Sequence, residues 1–256
     1  MITLGIDVGS ITAKAALVKD GKLLSTAVIV TGYNARNAGE SVFGKILSEA
    51  GITRSEIGGI VATGYGRNSV TFAGKSITEI TCHAAGAHFL NPAVRSVIDI
   101  GGQDSKAIVM DEAGKVRDFA MNDKCAAGTG RFLEVMARAL EVVDINDFGK
   151  MSLEADNPAR ISSLCTVFAK SEVISLIAKG EKRKNIIAGI HESIGSRVAT
   201  MAGRLGLTSP VMMTGGVAKN VGVVKALEGK TGKPIEVSEM AQLTGAIGAA
   251  LIAMTL

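Results

Sequence analysis

Asp7-Val8-Gly9-Ser10-Ile11-Thr12-Ala13-Lys14 and Asp99-Ile100-Gly101-Gly102-Gln103-Asp104-Ser105-Lys106 are two versions of one phrase. Asp, Gly and Lys fall at matching offsets, in copies roughly 90 residues apart. In each copy an apolar run ends at the Asp, a polar turn follows, and a second apolar run begins at the Lys. A Gly-Lys pair then closes the unit, Gly21-Lys22 in one case and Gly114-Lys115 in the other. Strand, turn, strand and Gly-containing hairpin is the pattern this predicts. A duplicated hairpin of this kind predicts a duplicated fold with a cleft between its halves.

The rest of the chain fits an α/β alternation around the two hairpins. Val42, Phe43, Ile46, Leu47 and Ala50 share one helical face, and Gly51 follows as a stop. Ile57 to Thr63 and Arg95 to Ile100 read as buried strands. Phe132, Leu133, Met136, Leu140 and Val143 line one face of a further helix. Ile187, Ile190, Ile194, Val198, Met201 and Leu205 recur every three or four residues, an amphipathic helix that Gly206 ends. Val211-Met212-Met213 is a short strand, and Ala241 to Met254 a final helix. The expected organisation is a first lobe over 1–94, a second over 95–240, and a helix over 241–256 that packs back on the first.

An Asp at a strand end, followed by Gly and a hydroxyl residue, suits phosphate and Mg²⁺. Backbone N–H groups of the turn can point at phosphate oxygens, and Gly lets the chain come close. Asp7 and Asp99 can hold Mg²⁺ through waters, since the ion dehydrates reluctantly. Gly9, Ser10, Ile11, Thr12, Gly101 and Gly102 are the turn residues; Lys14 and Lys106 can supply charge. Gln103 or Asp104 can orient an attacking water. Thr214-Gly215-Gly216-Val217-Ala218-Lys219-Asn220, placed after a strand, adds a third Gly-rich turn, with Gly215, Gly216, Val217 and Asn220 as nucleotide contacts. Gly128, Gly130 and Gln242 complete the candidates. Gly128-Thr129-Gly130 lacks the Gly-Lys-Ser/Thr ending of a P-loop.

Bulk properties narrow the classes. The 256 residues carry 47% hydrophobic content, 31 glycines, no Trp and a net charge of +4, too mild a balance for a nucleic-acid binder. The run Lys182-Arg183-Lys184 reads as a solvated helix start. No apolar run reaches the roughly 18 residues of a membrane span. The start Met1-Ile2-Thr3-Leu4-Gly5-Ile6-Asp7 lacks a basic signal-peptide head, so a cytoplasmic location is expected. His83, His88 and His191 show no zinc spacing, and no Gly-x-Ser-x-Gly elbow appears. Glu134 and Arg138 are spaced as an i,i+4 helix pair.

Three cysteines in a reducing compartment do not suggest a disulfide framework. Cys125 and Cys165 each sit just before or at an expected helix start, where the partial positive end steadies an anionic ligand. Two thiols fall short of the four an iron–sulfur cluster usually takes, and a symmetric dimer would supply four. On the residues alone, buried small hydrophobes are the more usual reading of isolated cysteines.

The stretches Asn122 to Leu133 and Ser162 to Ser175 resemble the activators of 2-hydroxyacyl-CoA dehydratases, within the BadF/BadG/BcrA/BcrD ATPase family. Ala62-Thr63-Gly64-Tyr65-Gly66-Arg67-Asn68, Cys82-His83-Ala84 and Ile187-Ala188-Gly189-Ile190-His191 support the resemblance. The three phosphate-type turns are similar to those of the actin, Hsp70 and sugar-kinase superfamily. That implies two RNase-H-like lobes with ATP or ADP and Mg²⁺ in the inter-lobe cleft. It also implies a homodimer with one [4Fe–4S] cluster on Cys125 and Cys165 of each subunit, and a structural Cys82. ATP hydrolysis would be coupled to one-electron transfer to an iron–sulfur dehydratase, with a ferredoxin or flavodoxin as donor. Lys170 stands where an acidic residue is common in the family, and Ile11 where Thr is usual. Two alternatives stay open: reduction of a double-cubane or benzoyl-CoA-reductase-like partner, and a non-redox chaperone-like ATPase. A small-molecule kinase would need a substrate domain for which 256 residues leave little room.

Overall fold

A computed structural model describes residues 1–162 and 165–256, with the backbone alone at Asn146. Ser163 and Leu164, inside one of the cysteine stretches, lie outside the described residues. The order of elements is β1 (Ile2–Val8), β2 (Thr12–Lys19), β3 (Lys22–Val30), α1 (Ala35–Ala50), β4 (Ile57–Thr63), β5 (Lys75–Ser76), α2 (Glu79–Leu90), β6 (Ser96–Ile100), β7 (Ser105–Met110), β8 (Val116–Asn122), α3 (Gly130–Ala139), α4 (Ile145–Leu153), α5 (Thr166–Ala178), α6 (Arg183–Gly203), β9 (Val211–Thr214), α7 (Val221–Thr231), β10 (Ile235–Val237) and α8 (Thr244–Ala253).

The strands form two five-stranded sheets, ordered β3-β2-β1-β4-β5 and β8-β7-β6-β9-β10. The second order repeats the first strand for strand. The duplication read at the turns therefore extends to both sheets. Even the hairpin glycines agree: Gly21 and Gly114 adopt left-handed φ of 77° and 76°, where a side chain would be strained.

The chain divides into two compact units. The first comprises Met1–Val97, Met110–Arg117 and Ser238–Leu256. Its core is Leu4, Ile6, Val8, Ala15 and Leu17 of the β1–β2 pair against Val42 and Ile46 of α1. Asn34 starts α1 by accepting from the amides of Arg36 and Asn37, and Gly51 ends it at φ 64°. On the other sheet face lies α8, buried at all but two positions. It is built from Gly, Ala and Ile because backbone meets backbone there. A Cβ on Gly5 would strike the Ala246 carbonyl, and one on Gly248 the Cys82 carbonyl in α2. Thr3 Oγ1 donates to the Ala250 carbonyl at 2.8 Å, satisfying a buried hydroxyl within that contact.

The second unit comprises Ile98–Val109 and Asp118–Val237. Here α6 is the long helix whose periodicity was evident, starting at Arg183 after Lys182. Two expectations are corrected. The helix carrying Phe132 and Met136 ends at Ala139, because Glu141 turns left-handed at φ 54°; Val143 is fully exposed beyond it. Glu134 pairs with Arg131 at 2.7 Å, one turn back, not with the expected Arg138.

Candidate functional site

Each unit holds one version of the same polar constellation. In the first, Asp7 lies near the end of β1, and β2 runs back antiparallel so that Lys14 stands directly opposite it. The seven-residue spacing thus becomes a cross-strand pair, Lys14 Nζ to Asp7 Oδ2 at 3.0 Å, both groups largely buried. The turn between closes with the Gly9 amide donating to the Thr12 carbonyl at 3.0 Å. Thr31 braces it, Oγ1 to the Gly9 carbonyl at 2.8 Å and N–H to the Ile11 carbonyl at 2.9 Å. Ser10, Ile11 and Thr12 remain half-exposed at the tip. Gln242 Nε2 reaches Thr12 Oγ1 at 3.4 Å.

In the second, Asp99 and Lys106 pair at 3.1 Å, again at Oδ2. The turn closes with the Gly101 amide donating to the Asp104 carbonyl at 3.0 Å, the same bond as in the first copy. Two differences follow from sequence. Asp104 stands where the first copy has Thr12, and its carboxylate takes a second share of Lys106 at 2.9 Å. Lys106 is 1% exposed and lies between two carboxylates. Gln103 is on the exposed side of the turn. Gly130 and Arg131, opening α3, donate to the Gly101 and Gly102 carbonyls at 2.9 Å each. A Cβ on Gly130 would lie 3.1 Å from the Gly101 carbonyl and 3.4 Å from Val217. Gly101, Gly102, Gly130 and Val217 therefore meet, while Gly128, at φ 87°, packs by Arg197 instead.

The Gly215 turn follows β9. Thr214 Oγ1 donates to Asp99 Oδ1 at 2.8 Å, and Gly215, at φ 85°, lets the chain pass the same carboxylate. Gly216 opens a short 3₁₀ turn over Gly216–Lys219. Asn220 caps α7, accepting from the amides of Gly222 and Val223 at 3.0 and 3.1 Å. Its amide faces His191 Nε2 at 3.4 Å. Burial pushes the His191 pKa from 6.5 to about 3, so the ring is neutral and can accept there.

A third matched pair escaped the sequence reading. Thr63-Gly64 ends β4 just as Thr214-Gly215 ends β9, and Gly64 shares the φ of 85°. Gly64 packs on Asp7 Oδ1 as Gly215 packs on Asp99 Oδ1. The signal was present, a Thr-Gly after each fourth strand, but it needs the sheet order to align it.

Cys165 is the exposed N-cap residue of α5. Cys125 is half-exposed in the turn after β8, four residues before Thr129, the N-cap of α3; Asn122 Nδ2 donates to its carbonyl at 2.9 Å. Cys82 is buried in α2, its thiol pushed up to about 12 by burial, an inert position. Among the described residues, no three His, Cys, Asp or Glu side chains gather as a metal-binding group. No helix among them is long and apolar enough to cross a membrane.

The family model for "BadF/BadG/BcrA/BcrD ATPase family" matches residues 4–253. An activator of lactoyl-CoA dehydratase from Anaerotignum propionicum is 50% identical, over 99% of this chain and 97% of its own length. The crystal structure of component A of (R)-2-hydroxyglutaryl-CoA dehydratase from Acidaminococcus fermentans superposes with a TM-score of 0.96 at 46% identity, covering 100% and 98% of the two chains. The activator of 2-hydroxyisocaproyl-CoA dehydratase from Clostridium difficile, solved with bound ADPNP, gives 0.93 at 44% identity, covering 100% and 95%. The two repeated sheets are those of actin/Hsp70/ROK-type ATPases. The chain belongs to the BadF/BadG/BcrA/BcrD ATPase family.

Proposed function

We propose that this ATPase is a reductive activator, working as a homodimer with one [4Fe–4S] cluster held by Cys125 and Cys165 of both copies. The observation that carries the reading is the surface around Cys165. Helix α5 starts at this thiol and buries only Ala169 and Val173, while Val167, Phe168, Ile174 and Ile177 stand exposed. A soluble protein rarely leaves such a stripe uncovered. Two accessible thiols per chain are half of a Cys₄ set, and a two-fold axis completes it. The residues present fit the cluster: soft sulfur donors, one at a helix start whose amides favour negative charge.

When bound, the cluster would supply one electron at low potential. The chain's own residues supply the ATP side. Asp7 and Asp99, fixed by Lys14 and Lys106, offer carboxylates to a hydrated Mg²⁺. The Gly9–Thr12 and Gly101–Asp104 turns offer amides to phosphate oxygens. The Gly215–Asn220 turn, with Gly216 and Val217, takes the nucleoside. Coupling requires that ATP and ADP favour different conformations of the chain, with different affinity for the partner. The proposed acceptor is an iron–sulfur dehydratase acting on a 2-hydroxyacyl-CoA, and the donor a ferredoxin or flavodoxin.

Protein purified without oxygen is expected to be brown, with about four irons per dimer. Cys165→Ala should lose the iron and keep nucleotide binding. Colourless, iron-free anaerobic protein would refute the redox half of the proposal.

A further inference from the structure

The two carboxylates that anchor the repeated turns are not held alike. Asp99 is gripped at both oxygens, by Thr214 Oγ1 on Oδ1 and Lys106 on Oδ2. Asp7 has only the second grip: Lys14 meets Oδ2, while the matching hydroxyl, Thr63 Oγ1, is buried beside the Cys82 thiol and makes no bond to the carboxylate. Thr63 is the register neighbour of Asp7 on β4, so the hydroxyl stands at the matching place in the sheet but does not grip the carboxylate. What stands by Asp7 instead is His83. It is 6% exposed on α2.

The approach runs through Gly245, the second residue of α8. A Cβ built on Gly245 would lie 2.9 Å from His83 Nε2 and 3.1 Å from Asp7 Oδ2. Both atoms therefore lie close to one spot beside the Gly245 Cα, and a side chain there would crowd them both. Gly245 has no left-handed φ that would require glycine, and inside a helix glycine is a poorer choice than alanine. The crowding that a side chain would cause is a reason for its presence that helix geometry does not give.

We infer that His83 is a positioning residue for Asp7, its Nε2 edge facing the carboxylate through the Gly245 gap and fixing the orientation that Thr214 fixes for Asp99. This rests on the proposed role of Asp7 toward Mg²⁺. Lys14 holds one oxygen of this carboxylate, and Gly64 only packs on the other. A second polar neighbour on the α2 side limits how the carboxylate turns, so that a hydrated Mg²⁺ meets a preset acceptor.

The test is ADP affinity of the full-length protein by calorimetry, with and without Mg²⁺. His83→Leu is expected to weaken binding about tenfold when Mg²⁺ is present, the scale of one hydrogen bond to a charged group, and to leave Mg²⁺-free binding nearly unchanged. His83→Gln, which returns an N–H at a similar reach, should restore most of the Mg²⁺ effect. Gly245→Ala is the second variant. Its Cβ would press on both groups, so it should lower thermal stability somewhat and reproduce the Mg²⁺-specific loss by filling the gap. It also keeps the test open if His83→Leu fails to fold. Equal loss with and without Mg²⁺ would make His83 a packing residue and overturn the inference. So would wild-type Mg²⁺ dependence in both His83→Leu and Gly245→Ala, while Asp7→Asn abolishes it. If Asp7→Asn itself keeps the Mg²⁺ dependence, the reading of Asp7 falls, and the inference with it.

Discussion

Lys14 and Lys106 occupy one offset in a repeat, yet they meet different charges. Lys14 shares the Asp7 carboxylate; Lys106 is divided between Asp99 and Asp104. A single residue, Thr12 against Asp104, makes the difference, and it was visible in the first alignment of the two phrases. What the residues could not reveal was how each carboxylate is held from outside the hairpin. Thr214, Thr63 and His83 come from distant parts of the chain, and only the folded sheets and helices bring them near the aspartates. His191 shows the same limit. Read along the chain it was one of three isolated histidines. Folded, it is 1% exposed, set edge-on to Phe148 at 5.2 Å between centroids, and faces the Asn220 cap. Its consequence is a pH dependence with a definite sign. Unfolded, the ring takes a proton near 6.5; folded, burial holds that back to about 3. The unfolded state therefore binds more protons between those values, and stability falls as pH drops through the window. Each pH unit below 6.5 costs up to about 1.4 kcal/mol, or about 2 to 3 kcal/mol by pH 4.5. Urea unfolding of His191→Gln at pH 7 and pH 4.5 should show a shallower acid loss than the parent. An identical acid slope would mean that the ring is not held neutral.

At the scale of elements, periodicity worked where one face is buried and one is wet. Helix α1 was legible for that reason, and so was α6 beyond His191; the run Asn185 to His191 is buried all round. Helix α8 is buried nearly all round and has little amphipathic pattern, yet the expected Ala241 to Met254 helix is there, over Thr244–Ala253. Periodicity overran α3, where the apolar series continues to Val143 but the backbone turns at Glu141. Helix α5 is the reverse case. Most of its apolar residues are outside. Val167 and Phe168 are 69% and 67% exposed. If these residues form the dimer contact, Phe168→Glu should halve the mass measured by light scattering and lose the iron. It should leave the monomer's stability within about 0.5 kcal/mol of the parent, as for other exposed sites. A variant that stays dimeric with its iron would move the contact off this face of α5.

For the whole molecule, the two properties proposed here have separate sources in the chain, and that separation can be tested. Nucleotide binding is assigned to the aspartates and glycine turns, iron to Cys125 and Cys165. A ligand that binds only the folded state stabilises it by about 2.7 kcal/mol at a hundred times its dissociation constant. For a chain of this size that raises the melting temperature by about 5 to 10 °C. Saturating MgADP should produce a shift of this order in the parent and in Cys165→Ala, although the latter carries no iron. Asp99→Asn should behave in the opposite way. It removes a buried charge that Lys106 and Thr214 both contact, so some stability is lost, on the order of 3 kcal/mol for a broken buried pair. The MgADP shift should shrink to a small fraction of the parent's, while iron per dimer stays unchanged under anaerobic preparation. The reciprocal pattern is what distinguishes two coupled sites from one fragile fold. If either substitution removed both iron and the nucleotide shift, the chain would be failing as a whole. An activator, by contrast, needs two sites that survive each other's loss and communicate only through the conformation that connects them.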